Sequence, residues 1–114
     1  MNILKKNLAY FVFFLSFLII CNQAPANAYY DLGKPTGYVN DYAGVFLGTG
    51  KADLESVIFN YVKTSGNEIS VVTIKSLQDD SIENFANQLF LNWGIGKKGQ
   101  DNGLLFLIAV EDRK

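Results

Sequence analysis

Glu68-Ile69-Ser70-Val71-Val72-Thr73-Ile74-Lys75 is the stretch that decides the fold. It is short, rich in β-branched residues and nearly continuous in apolarity, which predicts a buried strand over 69–75. A second such run, Leu104-Leu105-Phe106-Leu107-Ile108-Ala109-Val110, predicts a fully apolar core strand over 104–110. Between them, Ile82, Phe85, Ala86, Leu89 and Trp93 share one face of a 3.6-residue period, so 81–93 reads as a helix. Asp80 followed by Glu83 gives it a capping-box-like start. Two buried strands joined by a helix make a βαβ unit, in which the strands run parallel and the crossover is right-handed.

Upstream, Leu54, Val57, Ile58, Tyr61 and Val62 repeat at helical spacing, which predicts a helix over 49–64 with Thr49 as its cap and Gly66 after its end. Residues 38–47 read as a short strand followed by a loop, and 29–37, with Pro35, as an extended lead-in. The fold class expected is α/β, an α/β/α sandwich on a largely parallel sheet. Two helices and at most three strands barely cover both faces of such a sheet. Glu111-Asp112-Arg113-Lys114 also stand hard against the end of a core strand. The expectation is therefore a partial domain over 38–114, with a further strand and helix to follow.

Residues 1–28 are a different material. Lys5 and Lys6 precede an apolar run from Leu8 to Cys21, interrupted only by Ser16, and the segment closes on Ala26-Asn27-Ala28. A basic start, an apolar middle and a small-residue cleavage motif make a signal peptide, cut between Ala28 and Tyr29. The apolar run is shorter than the roughly 20 residues a spanning helix needs. Cys21 follows the bulky Ile20, where a lipid-modification signal would carry a small residue, so it belongs to the apolar leader. The protein is expected to be exported, and periplasmic, extracytoplasmic or membrane-associated.

The whole chain carries ten Lys+Arg against eleven Asp+Glu, a net charge of −1. Without Lys5 and Lys6 the exported part holds 8 − 11 = −3. No basic stripe is present, which argues against a nucleic-acid partner. The chain has no His, and its one Cys is Cys21. Ser-His-Asp triads and His-ligated zinc are excluded within these residues. Ser70, Ser76 and Ser81 have no activating neighbours in sequence, so an enzyme here would need metal-assisted hydrolysis.

Gly94-Ile95-Gly96-Lys97-Lys98-Gly99 spells G-x-G-x-x-G, but it follows a helix and precedes a strand, the reverse of the dinucleotide-binding context. It reads as a helix cap and turn. Asp101-Asn102-Gly103 is a turn entering a strand, in which Asp101 offers a hard oxygen to a divalent cation. Topology adds a sharper expectation. Ligands of open parallel sheets sit beyond the carboxyl ends of the strands. Strand 69–75 leads into Asp79 and Asp80, and strand 104–110 into Glu111 and Asp112. Asp80 is occupied as a cap, which leaves Asp79 and Asp112 for a cation. A plain solvated rim is the alternative.

Three blocks in order carry a resemblance: Pro35-Thr36-Gly37-Tyr38-Val39-Asn40-Asp41-Tyr42-Ala43-Gly44-Val45, then Trp93-Gly94-Ile95-Gly96-Lys97 through Asp101-Asn102-Gly103-Leu104-Leu105, then Glu111-Asp112-Arg113-Lys114. Together they resemble the TPM domain. The family is named for a thylakoid lumen protein, a photosystem II repair protein and a modulator of acetylcholine receptors. The resemblance implies an α/β/α sandwich in an exported protein, often with a membrane tether further on, here beyond residue 114. It implies two activities: Ca²⁺ binding in an acidic cleft, or acid phosphatase activity. Carried over, the motif acids are Asp41, Asp101 and Asp112. The reading favoured is a divalent-cation-binding accessory module for membrane-protein complexes, and the alternative is a metal-assisted acid phosphatase. Asp101 opens the strand that Asp112 closes, so the two share an ion only if their loops fold towards each other.

Overall fold

The computed structural model describes the backbone of residues 2–20 and all of 29–114; side chains in the first segment are described for 2–13. Cys21 and the Ala28–Tyr29 bond lie outside the described residues. The elements in order are α1 (Asn2–Ile20), β1 (Val39–Asp41), α2 (Gly50–Ser65), β2 (Glu68–Ile74), α3 (Ile82–Trp93) and β3 (Gly103–Ala109). Among the described residues no helix is long and apolar enough to cross a membrane.

The three strands form one sheet in the order β1-β2-β3, all parallel. Val39 stands opposite Val71, and Glu68 opposite Gly103 through to Ile74 opposite Ala109. β2 is central, and from Ser70 to Ile74 every residue is buried. Alternation along the strand sends Val71 to one face and Val72 and Ile74 to the other. On the first face Val71 packs with Val39 and with Leu54, Ile58 and Val62 of α2. On the second, Val72, Ile74 and Ala109 pack with Phe85 and Leu89 of α3. Helices on opposite faces make the three layers that the sequence predicts.

The lead-in completes the α3 layer. Residues 29–37 run as an extended strap, and Tyr29, Tyr30 and Leu32 join the Phe85 cluster. The Tyr29 and Tyr30 rings lie 4.8 and 5.0 Å from that of Phe85. The Tyr30 hydroxyl donates to the Ser76 carbonyl at 2.7 Å, and Trp93 Nε1 donates to the Gly33 carbonyl at 2.7 Å. These bonds hold the strap at Tyr30 and at Gly33.

Four expectations need correction. The 104–110 strand is not buried on both faces. Leu105, Leu107 and Ala109 point to α3, whereas Leu104, Phe106, Ile108 and Val110 are exposed, Phe106 at 53%. α2 lies over β1 and β2 and does not reach β3. Val57 and Tyr61 do not join the apolar face of α2; of the five apolar residues read as that face, Leu54, Ile58 and Val62, spaced by four, pack on the sheet. Thr49 precedes α2 without capping it by its side chain, since its hydroxyl donates to Asp53 instead. The cap of α3 is Ser81, whose Oγ accepts from Asn84 N, and Asp80 accepts from Ser81 N and the Asn84 amide.

The glycine run behaves as a turn. Gly94, at φ +61°, caps α3. Gly96 and Gly103 meet backbone to backbone: a Cβ on Gly96 would stand 2.7 Å from Gly103 N. Closure of the 94–103 loop on itself requires these glycines, and no phosphate is needed to explain them.

Candidate functional site

Parallel strands send their carboxyl ends to one edge, and that edge is acidic. Asp41 ends β1, Asp79 and Asp80 follow β2, and Glu111 and Asp112 follow β3. Pairing continues past the strands, with Glu111 N donating to the Lys75 carbonyl at 2.9 Å. Asp112 Oδ2 accepts from Leu77 N at 2.8 Å, so Asp112 is fastened to the loop that carries Asp79. That loop is tightly wound, with Gln78 and Asp79 both at positive φ.

Asp41 organises the neighbouring loop. Its Oδ1 accepts from the Thr73 hydroxyl and from Val45 N at 3.0 Å, and its Oδ2 accepts from Phe46 N at 3.1 Å. Thr73 is fully buried, and its hydroxyl oxygen in turn accepts from Ala43 N. Burial pushes the Asp41 carboxyl up. The bonds from Thr73, Val45, Phe46 and Gly44 outweigh it and hold the group below its ordinary value. Tyr30 and Tyr42 flank this edge, and burial raises both hydroxyls, with the Asp112 charge adding to Tyr30 and Tyr29 adding to Tyr42.

Asp101 stands elsewhere. It precedes β3, whereas Asp112 follows it, and a seven-residue strand separates them by roughly 20 Å. The loops do not fold towards each other, so Asp41, Asp79 and Asp112 share an edge and Asp101 does not. The knot of the Asp101 loop is its neighbour Asn102. The Asn102 side chain accepts from Lys97 N and donates to the Gly66 carbonyl, and its own carbonyl accepts from Glu68 N.

Carboxylate oxygens are the right donors for a hard cation, but Ca²⁺ takes six to eight of them. Among the described residues no group of three or more His, Cys, Asp or Glu stands close enough to hold a metal. The oxygens of Asp41 are largely used by its own loop. Among the described residues the Asp79 side chain has no hydrogen-bond partner, and Asp112 Oδ1 has none either.

Two residues that position this frame escape a sequence reading. The Glu55 carboxylate accepts from Tyr38 N at 2.8 Å and Val39 N at 2.7 Å, which closes the open edge of β1. Asn40, also buried, accepts from Thr36 N and donates to the Gly37 carbonyl. A buried Asn in a short strand is a sequence signal of such a tie; nothing in the sequence marks Glu55.

An open parallel α/β sheet with an acidic carboxyl edge defines a layered α/β domain rather than any one activity. The profile of the TPM domain matches residues 39–114, two thirds of the chain, and the chain belongs to that family. No curated protein matches it in sequence.

Proposed function

We propose that this chain is an exported accessory module that binds rather than catalyses, and that its carboxyl edge takes a divalent cation such as Ca²⁺ while the domain supports a membrane-protein complex. The observation that carries the reading is the bond from Leu77 N to Asp112. It ties the acid after β3 to the loop of Asp79, and each acid keeps oxygen for a ligand. The absence of His from the chain, and of Cys beyond the leader, supports binding over nucleophilic catalysis. The leader supports export.

Calorimetric titration of the full chain with CaCl₂ and MgCl₂ tests it. The expected result is Ca²⁺ binding in the range of about 0.1–1 mM common in extracellular modules. Replacing Asp79 and Asp112 by Asn together removes it, and Asp101→Asn leaves it unchanged. No heat, or heat indifferent to the double variant, would sink the proposal. A metal-assisted phosphatase at the same edge predicts chelator-sensitive turnover of p-nitrophenyl phosphate that the double variant abolishes; the expected result is no turnover.

A further inference from the structure

We propose a second binding site, at the opposite, amino edge of the sheet, for a primary ammonium group on an apolar stem. A cavity of about 320 Å³ opens there between the strap, the start of β2 and the end of α3, lined chiefly by Pro35, Tyr38, Glu68, Ser70, Trp93 and Ile95. Its size and make-up, apolar and aromatic with a few polar groups, suit a small ligand.

The polar groups set the chemistry. Glu68 and Ser70 stand two apart on β2, so both side chains face the α3 layer. Ser70 is only 4% exposed, yet among the described residues its hydroxyl has no hydrogen-bond partner. Its oxygen is not sealed off but lines the cavity, open to a donor that enters it. Glu68 Oε2 accepts from Gly96 N at 2.9 Å, which fixes the carboxylate, while Oε1 has no hydrogen-bond partner among the described residues. No ion pair among the described residues neutralises Glu68. A fixed carboxylate oxygen and an unpartnered hydroxyl oxygen lining the same cavity suit a cation with several N–H donors, which is what a primary ammonium supplies. The Trp93 ring is held by its bond to the Gly33 carbonyl. It offers a face for the cation and, with Pro35 and Ile95, an apolar wall for the stem. The source of that group is a free alkylamine or a lysine side chain, and both present the same head and stem.

Trp93 is the only tryptophan and lines this cavity, so its emission responds to a ligand there, and the Glu68→Gln variant ties the response to the site. The full chain, expressed from Met1 in an exporting host, is titrated at constant ionic strength with n-butylammonium, Nα-acetyl-lysine amide and n-butanol. A saturable change is expected with the two amines, at least about tenfold weaker with the neutral alcohol. Tighter binding of the lysine amide than of butylammonium identifies a polypeptide source, and the reverse a free amine. Glu68→Gln keeps an acceptor for Gly96 N and is expected to weaken amine binding at least about tenfold with an unchanged melting temperature. Ser70→Ala is expected to weaken it less. No saturable response, an equal response to butanol, or full binding by Glu68→Gln overturns the site.

Discussion

Asp41 is the residue through which β1, β2 and the following loop are joined, and its bonds are those of the charged carboxylate. Asp41→Ala strands the buried Thr73 hydroxyl and two backbone N–H groups, so unfolding stability should fall by about 1–3 kcal/mol in urea titrations. The pH dependence follows from the direction of its shift. A carboxyl held below its unfolded value of about 3.9 contributes stability that is fully present above that value and is lost as pH falls through the lower, folded one. The wild type should therefore lose more stability below about pH 4 than Asp41→Asn does; equal acid sensitivity would contradict this role. In sequence Asp41 is a motif acid with a metal role attached. Its work as a loop anchor depends on Thr73, 32 residues away, a distance over which sequence pattern is silent. Ser70 was legible only as one polar residue within an apolar strand.

Elements were legible where one face dictates a period. β2 and α3 follow their hydrophobic patterns to within a residue at each end, because β2 is wrapped on both sides and α3 on one. β3 carries no such period. Seven apolar residues look alike whether one face or two are covered, and only the position of α2 over β1 and β2 decides that Phe106 is exposed. The strap reads as no more than an extended lead-in because its partners lie 46 and 60 residues on, as in the Tyr30–Ser76 and Gly33–Trp93 bonds. If the strap is an integral layer, Phe85→Ala should cost about 3–5 kcal/mol and free residues 29–32 for protease cleavage. A cost under about 1 kcal/mol with the strap still protected would show that it merely rests on the surface.

At the scale of the molecule, the parallel sheet gives its two edges different chemistry. The carboxyl edge gathers Asp41, Asp79, Asp80, Glu111 and Asp112 around loops tied to one another by backbone and side-chain bonds. The amino edge holds Asp101, the glycine turn, and the Trp93 cavity. Reading the topology from two apolar runs and a helix was enough to forecast the acidic edge, because strand direction alone decides which loops meet. The same reading sets Asp101 and Asp112 at opposite ends of one strand, but it could not decide whether their loops fold towards each other, since that depends on how the 94–103 loop closes on itself. The central claim is that a hard cation goes to the first edge and not the second. Paramagnetic Mn²⁺, added in small steps to the isotopically labelled full chain, locates such an ion by the amide signals it broadens. The account predicts that the amides of Leu77, Asp79 and Asp112 broaden first and that those of 97–103 stay sharp. Broadening that begins around Asp101, or that spreads evenly over the surface, would contradict it.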